Sequence, residues 1–113
     1  MRERDIEAKL VREIKKMGGE CLKWVSPGTD GVPDRIVIMP SGDIWFVELK
    51  TDKGELSGPQ EYWNRRLQEL GCSAVVLYGQ DQVQWFLDEL RKYGWTQQIK
   101  EMIWGMVEEG GGE

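Results

Sequence analysis

Two β-rich runs, Arg35 to Met39 and Ile44 to Lys50, flank the segment Pro40-Ser41-Gly42-Asp43. This short interruption constrains the chain more than any other segment. Pro40 and Ser41 suit the central positions of a type I turn, and Gly42 suits the left-handed position that closes a three-residue hairpin loop. Such a loop pairs Met39 with Asp43 and fixes the register on both sides of it. In that register Asp34 falls directly opposite Glu48. Opposed residues point to one face of a sheet, and Lys50 joins them because strand side chains alternate. A four-residue loop pairing Met39 with Ile44 would turn Asp34 to the opposite face. Ile44 and Phe46 share the face of Glu48 and Lys50, so the charges continue an apolar row. A solvent-facing Glu-x-Lys alternation would continue a polar one.

The remaining elements follow from periodicity. Residues 4–17 carry Ile6, Leu10, Val11, Ile14 and Met17 on one side at helical spacing, and Gly18-Gly19 supplies the stop. Glu20 to Val25 reads as a strand, followed by the turn-rich segment Ser26-Pro27-Gly28-Thr29-Asp30-Gly31. Ser57-Gly58-Pro59-Gln60 opens a helix that runs to about Leu70 and stops at Gly71. Ser73 to Tyr78 is a strand with an apolar centre, Ala74 to Leu77, as in a sheet covered on both faces. Asp81 to Tyr93 reads as a helix with Val83, Phe86, Leu87 and Leu90 inward. A last helix, from Thr96 to about Val107, places Trp95, Ile99, Met102, Ile103 and Met106 on one stripe. That stripe either packs a partner subunit or docks on the chain's own sheet. Glu108 to Glu113 is a Gly-rich acidic tail of disordered composition. The order α-β-β-β-α-β-α-α predicts a single α/β domain over residues 1–107, with a mixed sheet of about four strands.

Composition excludes several function classes. The chain has 113 residues and no histidine, so His-dependent catalysis and His-based zinc sites are ruled out. Cys21 and Cys72 match no zinc or redox spacing and read as reduced core residues of a cytosolic protein. The charged N-terminus is neither a signal peptide nor a membrane span. Tryptophans 24, 45, 63, 85, 95 and 104 are expected mostly in the core. The net charge of −5 looks wrong for a nucleic-acid protein. No Lys or Arg follows Lys100, however, and four glutamates do, so the first hundred residues carry a net of only −1. Near neutrality is compatible with a local basic groove.

Two carboxylates and an ammonium on one strand face are what metal-assisted phosphodiester cleavage requires. Asp34 and Glu48 would hold a hard divalent cation through oxygen. The cation and Lys50 would activate water and stabilise charge on the phosphate. A third carboxylate comes from the first helix. Glu7 falls within the arc of its apolar stripe, where an acid is costly unless paired or metal-bound; otherwise it sits at the stripe's edge and reaches solvent. Glu3 lies on a similar bearing nearer the terminus. Ser57-x-x-Gln60 is a capping box, so Gln60 either caps the helix or serves the site. Lys23, Ser26 and Lys53 are candidate phosphate contacts and equally suit a solvated surface.

With Glu7, Pro33-Asp34, Glu48-x-Lys50 and Gln60 in place, the chain resembles a stand-alone VRR-NUC domain of the PD-(D/E)xK nuclease superfamily. The likeness runs from Ile6 to about Leu90. It is strongest at Ser26-Pro27-Gly28, Gly31-Val32-Pro33-Asp34-Arg35, Phe46-Val47-Glu48-Leu49-Lys50 and Leu56-Ser57-x-x-Gln60. The helix from Glu7 to Gly18 also resembles the opening helix of archaeal Holliday-junction resolvases, which favours Glu7 over Glu3. The resemblance implies a restriction-endonuclease-like fold, a Mg²⁺ or Mn²⁺ requirement, and structure-selective cleavage of branched DNA. It further implies a homodimer, often of phage origin, acting in the bacterial cytoplasm. By the same resemblance Glu7, Asp34, Glu48 and the carbonyl of Leu49 hold the metal. Lys50 then orients water or stabilises the pentacovalent phosphate, and Gln60 is an accessory.

Overall fold

The computed structural model describes residues 2–92. The predicted helix over 96–107, its Trp95 stripe, Trp104 and the tail 108–113 lie outside the described residues. In chain order the elements are α1 (Glu3–Lys16), β1 (Glu20–Lys23), β2 (Arg35–Ile38), β3 (Ile44–Lys50), α2 (Gly58–Glu69), β4 (Ser73–Tyr78) and α3 (Gly79–Lys92). The four strands form one sheet in the order β1-β2-β3-β4. The first three are antiparallel neighbours, and β4 joins β3 in parallel through the α2 crossover. This is the α/β architecture with a mixed four-stranded sheet that the sequence predicts.

The hairpin adopts the predicted register. Arg35 pairs with Val47 and Ile38 with Ile44, while the Met39 N–H donates to the Asp43 carbonyl at 2.9 Å. Gly42 stands at φ 87°, the left-handed conformation that a side chain rarely adopts. One difference lies in β1, which ends at Lys23 and not at Val25. Even so, the Trp24 N–H still donates to the Asp34 carbonyl at 3.0 Å.

The core lies between one face of the sheet and the helices α1 and α3. Ile6, Leu10 and Ile14 from α1 meet Cys21, Val37, Val47, Leu49 and Leu77 from the strands and Val83, Phe86 and Leu87 from α3. Burying a side chain of this size contributes roughly 1.5–3 kcal/mol relative to exposure, so the stripes anchor both helices. On the opposite face α2 lies over β4, buries Leu67 and donates from Gln68 Nε2 to the Ala74 carbonyl. β4 is thus covered on both faces although it stands at the sheet edge. The part of that face nearer β1 is less covered: Leu22 is 48% and Ile44 47% exposed.

Two composition-based expectations need correction. Trp85 is 56% exposed, because α3 turns that position away from the sheet; Trp24, Trp45 and Trp63 are half-buried. Cys21 belongs to the core, whereas Cys72 is only half-buried, and both are free thiols. It follows α2's C-terminus, where the chain turns back toward β4. No described helix is long and apolar enough to cross a membrane.

Candidate active site

The site forms where β2 and β3 part company. Bonded and non-bonded pairs alternate along an antiparallel ladder, and Met39–Asp43 is a bonded pair. The same register makes the next bonded pair after Arg35–Val47 fall on Pro33 and Leu49. Proline has no N–H to give, and β2 begins only at Arg35. The Leu49 N–H donates instead to Asp34 Oδ2 at 3.0 Å. Regular pairing thus ends at Arg35, Pro33 has no N–H for the Leu49 carbonyl, and the Asp34 carboxylate accepts the Leu49 N–H.

Glu48 is the central residue. It is 2% exposed, the buried charged side chain among the described residues. Its Oε2 accepts from Gln60 Nε2 at 2.8 Å, while its buried Oε1 has no hydrogen-bond partner. Burial pushes the Glu48 carboxyl from the ordinary 4.5 up to about 8. The negative charges of Asp34 and, less strongly, Glu3 act in the same direction, and the Lys50 ammonium acts against them. A buried carboxylate with one orphan oxygen and an acid beside it is costly as it stands.

Gln60 fills both roles that the sequence offers it. Its backbone N–H donates to Ser57 Oγ at 3.2 Å, and its Oε1 accepts from the Ser57 N–H at 2.9 Å, completing the capping box. The remaining amide nitrogen is then free to reach Glu48. The helix N-terminus is held close by Gly31, which stands at φ 88° and abuts Pro59. A Cβ on Gly31 would lie 2.4 Å from the Pro59 carbonyl carbon. The β1–β2 loop and the start of α2 are thereby pressed together, and this seats Gln60 over β3.

Asp34, Glu48, Lys50 and Gln60 thus gather at one place. Glu7 is engaged elsewhere: its Oε2 accepts from Arg35 Nε at 2.9 Å. Arg35 also donates to the Cys21 carbonyl at 3.2 Å. Arg35 alternates with Asp34 along the chain and so faces α1, which carries Glu7 to the other side of the sheet. Among the described residues, no group of three or more acids and cysteines is arranged to hold a metal ion. Sequence reasoning missed Arg35, whose place opposite Asp34 on the strand could have been read from the same alternation. Lys23 and Lys53 are exposed and Ser26 is half-buried. The Ser26 carbonyl accepts from the Thr29 N–H at 3.1 Å. None of the three is a partner in the acid pair's side-chain hydrogen bonds, which come from Leu49 and Gln60.

Comparison with known proteins bears on this arrangement. The family model of the VRR-NUC domain matches residues 2–81. The chain belongs to the VRR-NUC domain family. A protein of Acyrthosiphon pisum secondary endosymbiont phage 1, named "Putative nuclease p44", is 46% identical over 81 residues, covering 72% of this chain and 87% of that one. A solved structure titled "VRR_NUC domain" superposes with a TM-score of 0.72 at 28% identity, over 76% of this chain and 94% of that chain. Another, "VRR_NUC domain protein", shares the fold with a TM-score of 0.62 at 16% identity, over 83% and 88% of the two chains. Membership of the VRR-NUC family places this chain among nuclease domains. The matched span contains every residue of the acid site, from Asp34 to Gln60.

Proposed function

We propose that this protein is a divalent-metal-dependent endonuclease that hydrolyses phosphodiesters in DNA, with a preference for branched DNA. The observation that carries this reading is Glu48, sealed beneath Gln60 with Oε1 unpartnered next to Asp34. An oxygen donor of this kind fits a hard cation. Mg²⁺ or Mn²⁺ suits it best, because Mg²⁺ is typically held by one or two carboxylates and keeps several waters. Asp34 and Glu48 would hold the ion together with the Leu49 carbonyl, while Glu7 stays with Arg35 on the other side of the sheet. The ion, when bound, supplies Lewis-acid stabilisation of charge on the phosphate.

The chain's own groups do the rest. Gln60 fixes the Glu48 carboxylate by holding Oε2 and leaves Oε1 without a partner. Leu49 anchors the Asp34 carboxylate through its N–H. Lys50 follows Glu48 on the same strand face and presents a positive charge to the pentacovalent phosphate. Hydrolysis adds the oxygen of water to phosphorus and breaks the bond to a sugar oxygen. One proton of the water goes to solvent base, and the departing oxygen takes up another. A homodimer would present two such sites related by a two-fold axis, as coordinated cutting of two strands requires. Lys23, Ser26 and Lys53 would contact the DNA backbone, and the host-cell cytoplasm is the compartment that suits a phage-like nuclease.

The test is cleavage of a four-way junction, a flap and a linear duplex, each with Mg²⁺ and with EDTA, beside Glu48→Ala and Lys50→Ala. The junction should be cut fastest, only with metal, and by neither variant. Cleavage by Glu48→Ala at the wild-type rate would overturn the site. Cutting in EDTA would overturn metal dependence, and equal rates on junction and linear duplex would remove the branched-DNA preference.

A further inference from the structure

We propose that Trp24, braced by Phe46, is a stacking platform for an unpaired nucleobase next to the phosphate being cut. The inference rests on the nuclease reading above. Trp24 lies beside Asp34, as its N–H donates to the Asp34 carbonyl at 3.0 Å. Cys21 and Val37 are paired and both belong to the core face, so alternation turns Leu22 and Trp24 to the face of Asp34 and Glu48. The ring contact agrees with this. The Trp24 and Phe46 centroids are 5.3 Å apart, with planes inclined at 47°, and Phe46 precedes Glu48 on that face.

The spacing suits a nucleotide. Neighbouring strands are about 4.8 Å apart, so Trp24 stands one strand beyond Asp34, in the same row as the acid pair. A phosphate at Asp34 and Glu48 therefore puts an adjoining base within reach of the indole. This half of the face is not closed over by α2. Leu22, on the same face beside Trp24, remains 48% exposed. Half-buried, the indole rests on Phe46 and still shows part of its surface. A base within a duplex is stacked on its neighbours and cannot use such a platform, whereas a base splayed at a junction or strand end can. Stacking would then contribute to the preference for branched over linear DNA.

The test uses the full chain and a four-way junction carrying 2-aminopurine, a base whose fluorescence is quenched on stacking. The probe is placed in turn at each nucleotide near the branch, and binding is read in EDTA. Quenching at one position is expected for the wild type and for Trp24→Phe, and its loss for Trp24→Ala. Trp24→Ala should raise KM by roughly 5- to 100-fold on the intact junction. It should leave KM unchanged on a junction made abasic at the quenched position. Equal losses on both substrates would make Trp24 a packing residue and overturn the platform. A wild-type enzyme that cuts the junction without quenching at any position would overturn the platform alone. A protein that neither binds nor cuts DNA would overturn the nuclease reading and the platform with it.

Discussion

Glu48→Gln should make the metal-free protein more stable at alkaline pH. The folded state raises the Glu48 carboxyl from 4.5 to about 8, so it binds this proton more tightly than the unfolded chain does. Stability from that proton is fully present below pH 4.5 and is lost as pH rises through about 8. At about 1.4 kcal/mol per pH unit, the loss between pH 5 and pH 8 is on the order of 3 kcal/mol. The window is unusually clean. The chain has no histidine, and burial pushes the Cys21 thiol up to about 11, beyond it. Urea unfolding followed by tryptophan fluorescence, in EDTA at pH 5 and pH 8, measures the difference. The wild type should lose about 3 kcal/mol over this range, and Glu48→Gln, which carries no proton to lose, should stay nearly flat. Adding Mg²⁺ at pH 8 should restore the wild type and not the variant, since a ligand stabilises only a state that binds it. Parallel curves for the two proteins would refute the burial argument for Glu48.

Three further outcomes follow from the geometry. Ser57→Ala removes one cap bond and should cost about 1 kcal/mol with cleavage preserved. Gln60→Ala should cost about 1–3 kcal/mol more, because Glu48 loses its buried partner, and should also lower kcat. Gly31→Ala meets Pro59 while Gly28→Ala, at φ 82°, meets nothing. Both pay for the left-handed backbone, so their difference in unfolding free energy should isolate the clash, about 1–3 kcal/mol. Glu3→Gln and Glu7→Gln separate the two helix acids in a Mg²⁺ titration of cleavage. Loss of a ligand should raise the half-saturating concentration by roughly tenfold or more, and Glu7→Gln, held on Arg35 across the sheet, should leave it unchanged.

Local chemistry made part of this site readable in the sequence, and tertiary placement hid the rest. The Pro40-Ser41-Gly42 turn admits few geometries, so the register of β2 and β3 followed from it, along with the convergence of Asp34, Glu48 and Lys50. Strong apolar stripes likewise fixed the inward faces of α1 and α3. The rotation and depth of a helix against a sheet depend on many weak contacts, and no short motif encodes them. For that reason Glu7 could be placed near the apolar stripe but not upon Arg35. The capping box at Ser57 and Gln60 was visible, yet its use of one amide end for the cap and the other for Glu48 depends on where α2 lands. The exposure of Trp85 has the same origin: composition says that tryptophans prefer burial, and only packing says that Trp85 goes without it.

The contact between Gly31 and Pro59 divides the β1–β2 loop into two parts with different freedom to vary. At Gly28 an added side chain would point into open space, whereas at Gly31 it would strike the backbone of the helix that carries Gln60. Residues may therefore be inserted or exchanged at the tip around Pro27-Gly28 to change what the loop touches, and the acid pair would not register the change. The three positions from Gly31 to Pro33 form a fixed-length spacer between that helix and the end of β2. A relative that lengthened this spacer would have to rebuild its acid site.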